Sequence, residues 1–171
     1  MRVGIAGVGF MGRTHAAAWA ETKATIAGFL HRTVEGARPL AEQYGAKTYA
    51  GWDALLADVD VVDICTPTHL HNEQVLRAAD AGKDIDCEKP IARTVEQAQA
   101  MIAACKTAGG KLLVAHVVRF FPEYALAKAA VGRGEIGQVA VVRLAREAFR
   151  PKKAVNNWFV DFEKSGGLML D

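Results

Sequence analysis

The sequence predicts a doubly wound α/β fold, a parallel sheet covered by helices on both faces, followed by the beginning of a second, α+β domain. Three observations predict it. Short runs rich in Val, Ile and Leu alternate with Ala-rich segments of helical period. A glycine-rich turn, Gly7-Val8-Gly9-Phe10-Met11-Gly12, joins the first apolar run to the first helical one. After Ala115 the alternation stops.

Taken in order, strands are expected at Arg2–Ala6, Thr25–Leu30, Lys47–Tyr49, Val61–Cys65, Asp84–Cys87 and Lys111–Ala115. Helices are expected at Phe10–Glu21, Val34–Tyr44, Trp52–Leu56, Asn72–Ala81 and Val95–Ala108. Thr94 can cap the helix that follows it, with Gln97 three residues on, and Gly82 and Gly109 stand where helices should stop. Arg119-Phe120-Phe121-Pro122 reads as a junction, followed by a helix to about Ala130, a Gly-rich turn through Gly137 and a strand from Val139 to Ala145. A lone strand needs partners, so the rest of that sheet is expected from chain beyond this sequence. The domains predicted are 1–118, a dinucleotide-binding unit, and 119–171, the start of a second domain.

Composition narrows the function classes. A chain of 171 residues with 51% hydrophobic and 23% charged residues and a mean hydropathy of +0.07 is that of a folded globule. Its 21 basic and 19 acidic residues are scattered, which makes no electrostatic footprint for nucleic acid. The denser Arg150, Lys152 and Lys153 read as a solvated loop around Pro151. Cys65, Cys87 and Cys105 are odd in number and far apart, without a C-x-x-C pair, so neither a disulfide framework nor a zinc site is indicated and a reducing cytoplasm is expected. The start loosely imitates a secretory signal, but Gly4, Gly7, Gly9 and Gly12 disfavour a continuous apolar helix there. No apolar stretch approaches the ~20 residues needed to span a bilayer.

The chemistry-bearing residues gather at the carboxyl ends of the predicted strands, where open α/β sheets bind ligands. Gly7 makes the tight turn, Gly9 lets the backbone approach a pyrophosphate, and Gly12 lets the helix pack closely. The helix then opens at Phe10 and Met11 with unpaired N–H groups and a partial positive charge for the anion. An acid about 20 positions beyond the loop would grip the ribose of NAD, yet the second strand ends Leu30-His31-Arg32. Arg32 can meet a 2′-phosphate or stack on adenine, while Glu35 remains an NAD-type substitute; the balance leans toward NADP. The fourth strand leads into Thr66-Pro67-Thr68-His69-Leu70-His71, and the fifth into Glu88-Lys89-Pro90. The Lys89 ammonium, a compact charge with three donors, suits the oxygen of a group being oxidised. Asp86 puts a charge where a strand buried in a parallel sheet usually carries an apolar residue; it either faces a loop or pairs with a base.

His69 and His71 invite a metal reading, but two residues apart on a helix they diverge by about 200°, and no carboxylate–histidine set accompanies them. His71 is expected either beside the cofactor or as a solvent-facing cap. His116, at the end of the sixth strand, reads as a hydrogen-bonded structural residue. Trp52, Trp158 and Phe120-Phe121 lack the basic groove of a nucleic-acid platform and read as core or interface. Cys65 and Cys87 read as small packing residues.

Together these motifs resemble the glucose-fructose oxidoreductase and inositol dehydrogenase (Gfo/Idh/MocA) family, along the length of the chain. The resemblance rests on the Gly7–Gly12 loop, Thr66-Pro67 with His71, Gly82 to Pro90, Arg119-Phe120 with Pro122, Gly134-x-Ile136-Gly137 and Gly166-Gly167-Leu168-Met169-Leu170-Asp171. It implies an NAD(P)-dependent oxidoreductase acting on a sugar, cyclitol or related polyol. It also implies that Lys89 assists at the substrate hydroxyl and that Asp171 belongs to the catalytic group. A histidine usually follows that aspartate by four residues, so this piece alone is expected to lack turnover. A homo-oligomer formed through the second domain is implied as well. A non-catalytic NAD(P)-binding sensor with the same fold is the alternative.

Overall fold

The computed structural model describes residues 1–145 and 158–167. Six parallel strands, β1 (Arg2–Ala6), β2 (Thr25–Leu30), β3 (Lys47–Tyr49), β4 (Val61–Ile64), β5 (Asp84–Cys87) and β6 (Leu112–Val114), form one sheet in the order β3-β2-β1-β4-β5-β6. The chain winds outward from β1 in one direction and then returns past it in the other. The switch point therefore lies between β1 and β4, where the ends of these strands diverge from their crossovers.

The helices between them are α1 (Phe10–Ala20), α2 (Val34–Gln43), α3 (Trp52–Leu56), α4 (His71–Asp80) and α5 (Val95–Ala108). Their starts and stops follow local chemistry. Thr33 and Thr94 accept hydrogen bonds from Gly36 N and Gln97 N and so cap α2 and α5, and Gly109, at φ +73°, ends α5 in the left-handed conformation. The doubly wound parallel sheet is as the sequence predicts, with element ends within a residue or so of expectation.

Strand alternation sorts the core onto the two faces of the sheet. Val3, Ile5, Phe29 and Val61 pack with Ala16, Ala37 and Leu40 on one face; Val62, Ile64, Ile85 and Cys87 pack with Val75, Ala78 and Met101 on the other. Asp63 lies between Val62 and Ile64 in β4 and thus projects to the first face, that of α1. It pairs in register with Asp86 of β5.

By spatial grouping, Met1–Ala115 and the described residues from Trp158 onward form one compact unit, which includes the short helix Phe162–Ser165 capped by Asp161. Residues 116–157 form another, whose described part holds a 3-10 turn (Val117–Phe120) and α6 (Pro122–Gly132). The strand expected from Val139 to Ala145 is not formed. Val141, Val142 and Leu144 are exposed, and among the described residues no second strand lies beside this segment to satisfy its backbone. The basic stretch at Arg150, Lys152 and Lys153 and the terminal residues through Asp171 lie outside the described residues.

Candidate functional site

The carboxyl edge of the sheet brings the glycine loop beside the end of β4, with the end of β5 one strand further on. Gly7 turns at φ +98°, and a Cβ there would lie 2.6 Å from the Cys65 carbonyl oxygen and 3.0 Å from the Thr66 nitrogen. A Cβ on Gly12 would fall 1.9 Å from the Gly7 oxygen, so only glycine lets the first turn of α1 close onto the loop. Gly9 differs: a Cβ there would meet nothing within 4 Å. The space over Gly9 is open.

The N-terminus of α1 is unlike those of α2 and α5. Gly9 offers no capping side chain, and the first turn carries no acid. Its first N–H groups are thus left for a ligand, with the helix dipole favouring an anion. This is a fit to the pyrophosphate of a dinucleotide, in a backbone form that a side chain at Gly9 would fill. Phe10 is exposed at 82% and Met11 is half-buried.

At the end of β2, His31 folds over Gly36, where an added Cβ would lie 2.2 Å from its Nδ1, and the same nitrogen is 3.3 Å from the Thr33 carbonyl. Arg32 and Glu35 are exposed. No carboxylate stands at the strand end itself.

The loops after β4 and β5 are tied together by His71. It is 1% exposed, with Nε2 2.8 Å from the Thr66 carbonyl and Nδ1 3.0 Å from the Pro90 carbonyl. The solvent-facing cap envisaged for His71 is therefore corrected. α4 begins at His71, one residue earlier than expected, which turns the ring inward between two carbonyls. Thr66 donates its hydroxyl hydrogen bond to Gln74 Oε1 at 2.6 Å, which fixes the same loop from the other side. Pro67 follows in extended geometry.

Glu88 and Lys89 part company. Glu88 is 5% exposed and turned beneath the edge: its Oε2 accepts from the Lys89 backbone N–H at 2.8 Å, and its Oε1 is 3.1 Å from His15 Nε2. The Glu88 carboxylate is thus directed inward, toward His15 on α1. Lys89 is half-buried, at the end of β5, and the Lys89–Pro90 peptide is cis.

His15 is the residue that sequence reasoning missed. On α1, it is held at Nδ1 by both carboxylate oxygens of Asp63 (3.0 Å each) and at Nε2 by Glu88. Trp19, one turn on, donates its indole N–H to Asp63 at 2.7 Å, and the Cys65 thiol donates to Asp63 at 3.2 Å. Burial pushes the imidazole down, but the hydrogen bonds and charges of Asp63 and Glu88 outweigh it and hold His15 up at about 10. The ring is an imidazolium through the neutral range. One signal was available: an aspartate inside the apolar run Val61-Val62-Asp63-Ile64 demands a buried partner.

Asp86 completes the layer. Burial, with help from the neighbouring Asp63, pushes it up to about 6, and its Oδ1 is buried without a hydrogen-bond partner. Among the described residues no ion pair joins Asp86 to a base, one of the two alternatives open from sequence; it stands beside Asp63 in the strand register. His15, Asp63 and Cys65 bring ligand-type atoms within 4.8 Å of one another. They already bond to each other, and burial drives the Cys65 thiol strongly upward, away from the thiolate a metal would need. Cys87, buried in the sheet, is likewise pushed up by burial, as a packing residue should be.

The family model described as an oxidoreductase family with an NAD-binding Rossmann fold, Gfo/Idh/MocA, matches residues 1–116. The chain belongs to this family. It is 37% identical over 155 residues to levoglucosan dehydrogenase of Pseudarthrobacter phenanthrenivorans, covering 84% of this chain and 40% of that protein. It is 33% identical over 176 residues to inositol 2-dehydrogenase of Rhizobium meliloti, covering 100% of this chain and 51% of that one. The solved structure of levoglucosan dehydrogenase in complex with NADH and levoglucosan superposes with a TM-score of 0.76 at 37% identity, over 81% of this chain and 40% of the other. The chain spans about half the length, or less, of these relatives. The family match bears out the resemblance drawn from the motifs. Among the described residues no helix is long and apolar enough to cross a membrane.

Proposed function

We propose that this chain is the dinucleotide-binding half of a dehydrogenase that transfers a hydride between a nicotinamide and the hydroxyl-bearing carbon of a sugar, cyclitol or related polyol. The observation that carries the proposal is the presence, on one sheet edge, of an open, uncapped Gly9 helix start after β1 and of Lys89 after β5, with β4 between the two strands. When bound, the dinucleotide supplies the ring that takes or gives the hydride.

The residues of this chain bind and orient. The α1 N-terminus holds the pyrophosphate, Thr66 and Pro67 form the neighbouring wall, and Lys89 donates to the substrate oxygen. Asp171, outside the described residues, joins Lys89 by the family resemblance. Arg32, exposed at the end of β2 with no carboxylate at that position, supports NADP over NAD, with Glu35 as the acid that would favour NAD. That levoglucosan and inositol dehydrogenases are among the relatives supports a sugar or polyol substrate. We place the protein in the cytoplasm, as three free cysteines suit, and expect it to self-associate through its second domain.

The test is a panel of sugars and polyols assayed with NAD and NADP on the complete protein, beside a fluorescence titration of each dinucleotide. Turnover on one or more of them supports the reading. Tight dinucleotide binding with no turnover across the panel overturns it in favour of a sensor, and no dinucleotide binding by folded protein overturns the cofactor site itself.

A further inference from the structure

Between the glycine loop and Lys89 runs an unbroken line of contacts. Trp19 and His15 both reach Asp63 from α1, His15 reaches Glu88, and Glu88 receives the backbone N–H of Lys89. These residues lie 48 and 73 positions from His15 in sequence, on three different elements. His15 itself begins the second turn of the helix whose start is Gly9. One imidazole therefore joins the helix that seats the anion to the strand end that carries Lys89.

We infer that His15 is a positioning residue for hydride transfer, a buried cation that holds Glu88 in place and through it fixes the backbone from which Lys89 reaches the substrate. The inference rests on the reading of Lys89 as the group at the substrate oxygen. Physically the ring is suited to the task. Asp63 is fully buried and Glu88 nearly so, and two carboxylates brought to one place repel unless a cation stands between them. Both ring nitrogens can donate only in the protonated form, and both face carboxylates here. Cys65 and Asp86, the other titratable groups facing this layer, supply no positive charge. His15 is thus the cation that these contacts provide. Without it Glu88 loses the partner that turns it inward, and the Lys89 amide loses a fixed acceptor.

The test uses the complete protein with two variants, His15→Gln and Glu88→Met, the second of which keeps the length of the side chain but removes its acceptor, and their combination. In His15→Gln the expected result is a kcat lower by about tenfold, the scale of a small displacement of a reacting group, with a dinucleotide dissociation constant changed less than threefold. The double variant should be no slower than the slower single one, since both interrupt one line of contacts. A second readout needs no turnover: the backbone amide of Lys89, followed by NMR hydrogen exchange without cofactor, should be protected in the wild type and lose protection in both single variants. Unchanged kcat and unchanged Lys89 protection in His15→Gln overturn the inference, as do fully additive effects. If His15→Gln does not fold, Glu88→Met must still expose the Lys89 amide, and protection retained there overturns the inference equally. Should no sugar or polyol be turned over, the functional reading fails separately, and the amide alone decides whether His15 positions Lys89.

Discussion

Asp86 should be a liability at neutral pH, and Asp86→Asn should stabilise the protein. The carboxyl group titrates near 6 in the folded chain, against an ordinary value near 3.8, because burial and the adjacent Asp63 disfavour its charge. A folded carboxyl with a raised pKa binds its proton more tightly than the unfolded chain does. Stability is therefore lost as pH rises from about 4 to about 6, and the cost is fully present above that window. Two pKa units correspond to about 3 kcal/mol as a ceiling, and partial access of water to Asp86 reduces this to about 1–2 kcal/mol. Removing the charge while keeping the shape should recover that amount at pH 8, raising Tm by about 3–6 °C for a chain of this size. The gain should vanish near pH 4, where the folded carboxyl is already neutral. Urea unfolding at both pH values reads this out through tryptophan fluorescence, since Trp19 bonds to the neighbouring Asp63. An equal gain at pH 4 and pH 8, or none at pH 8, would refute the view that ionised Asp86 strains the sheet.

The glycine loop gives a paired prediction: Gly9→Ala should fold with stability within about 0.5 kcal/mol of the parent, because its Cβ meets nothing, yet weaken dinucleotide binding tenfold or more in a fluorescence titration. Gly12→Ala, whose Cβ would strike the Gly7 oxygen, should instead lower the melting temperature as well, so the two variants separate ligand space from helix packing. Arg32→Ala should weaken NADP more than NAD, and equal losses by calorimetry would exclude a 2′-phosphate contact. Lys89→Ala should lower kcat by about 10²-fold with little change in dinucleotide affinity; unchanged turnover would remove Lys89 from the mechanism.

Local pattern made the sheet legible. Runs such as Val61-Val62 and Thr25–Leu30 can be buried in a parallel sheet with little else, and the Thr33, Thr94 and Gly109 helix ends are set by neighbours a few residues away. Gly7 and Gly12 were legible for the same reason: each meets its constraint within the strand–turn–helix itself or at the adjacent strand. Val139–Ala145 has the strand pattern but, among the described residues, no partner strand, and pattern alone does not form a sheet. The buried layer was illegible because its members are distant. His15 reads as one more polar residue on an Ala-rich helix until the fold sets it between Asp63 and Glu88. Glu88 reads only as the acid before Lys89 until the fold brings it to the same histidine. Asp86 and Asp63 announced themselves, each as a charge in an apolar strand, although the consequence depended on the register that sets them side by side.

That layer also bears on how one sheet edge can take an anion and a cationic lysine together. Asp63, Asp86 and Glu88 all belong to strands or strand ends under the loop meant for a pyrophosphate. At an effective dielectric of about 20, each uncompensated unit charge some 8 Å from a phosphate would oppose it by about 2 kcal/mol. Three would defeat the gain from a helix N-terminus, which is about 1 kcal/mol per charge and at most about 2. The structure removes part of this burden without removing the carboxylates. His15 neutralises one charge, and the raised proton affinity of Asp86 relieves a second below about pH 6. The first turn of α1 adds no acid of its own. The carboxylates that remain are committed, Asp63 to the Trp19 and Cys65 donors and Glu88 to the Lys89 amide. Their charge is thereby held below the edge, where it orders the lysine-bearing segment, while the backbone donors above stay open to the phosphate.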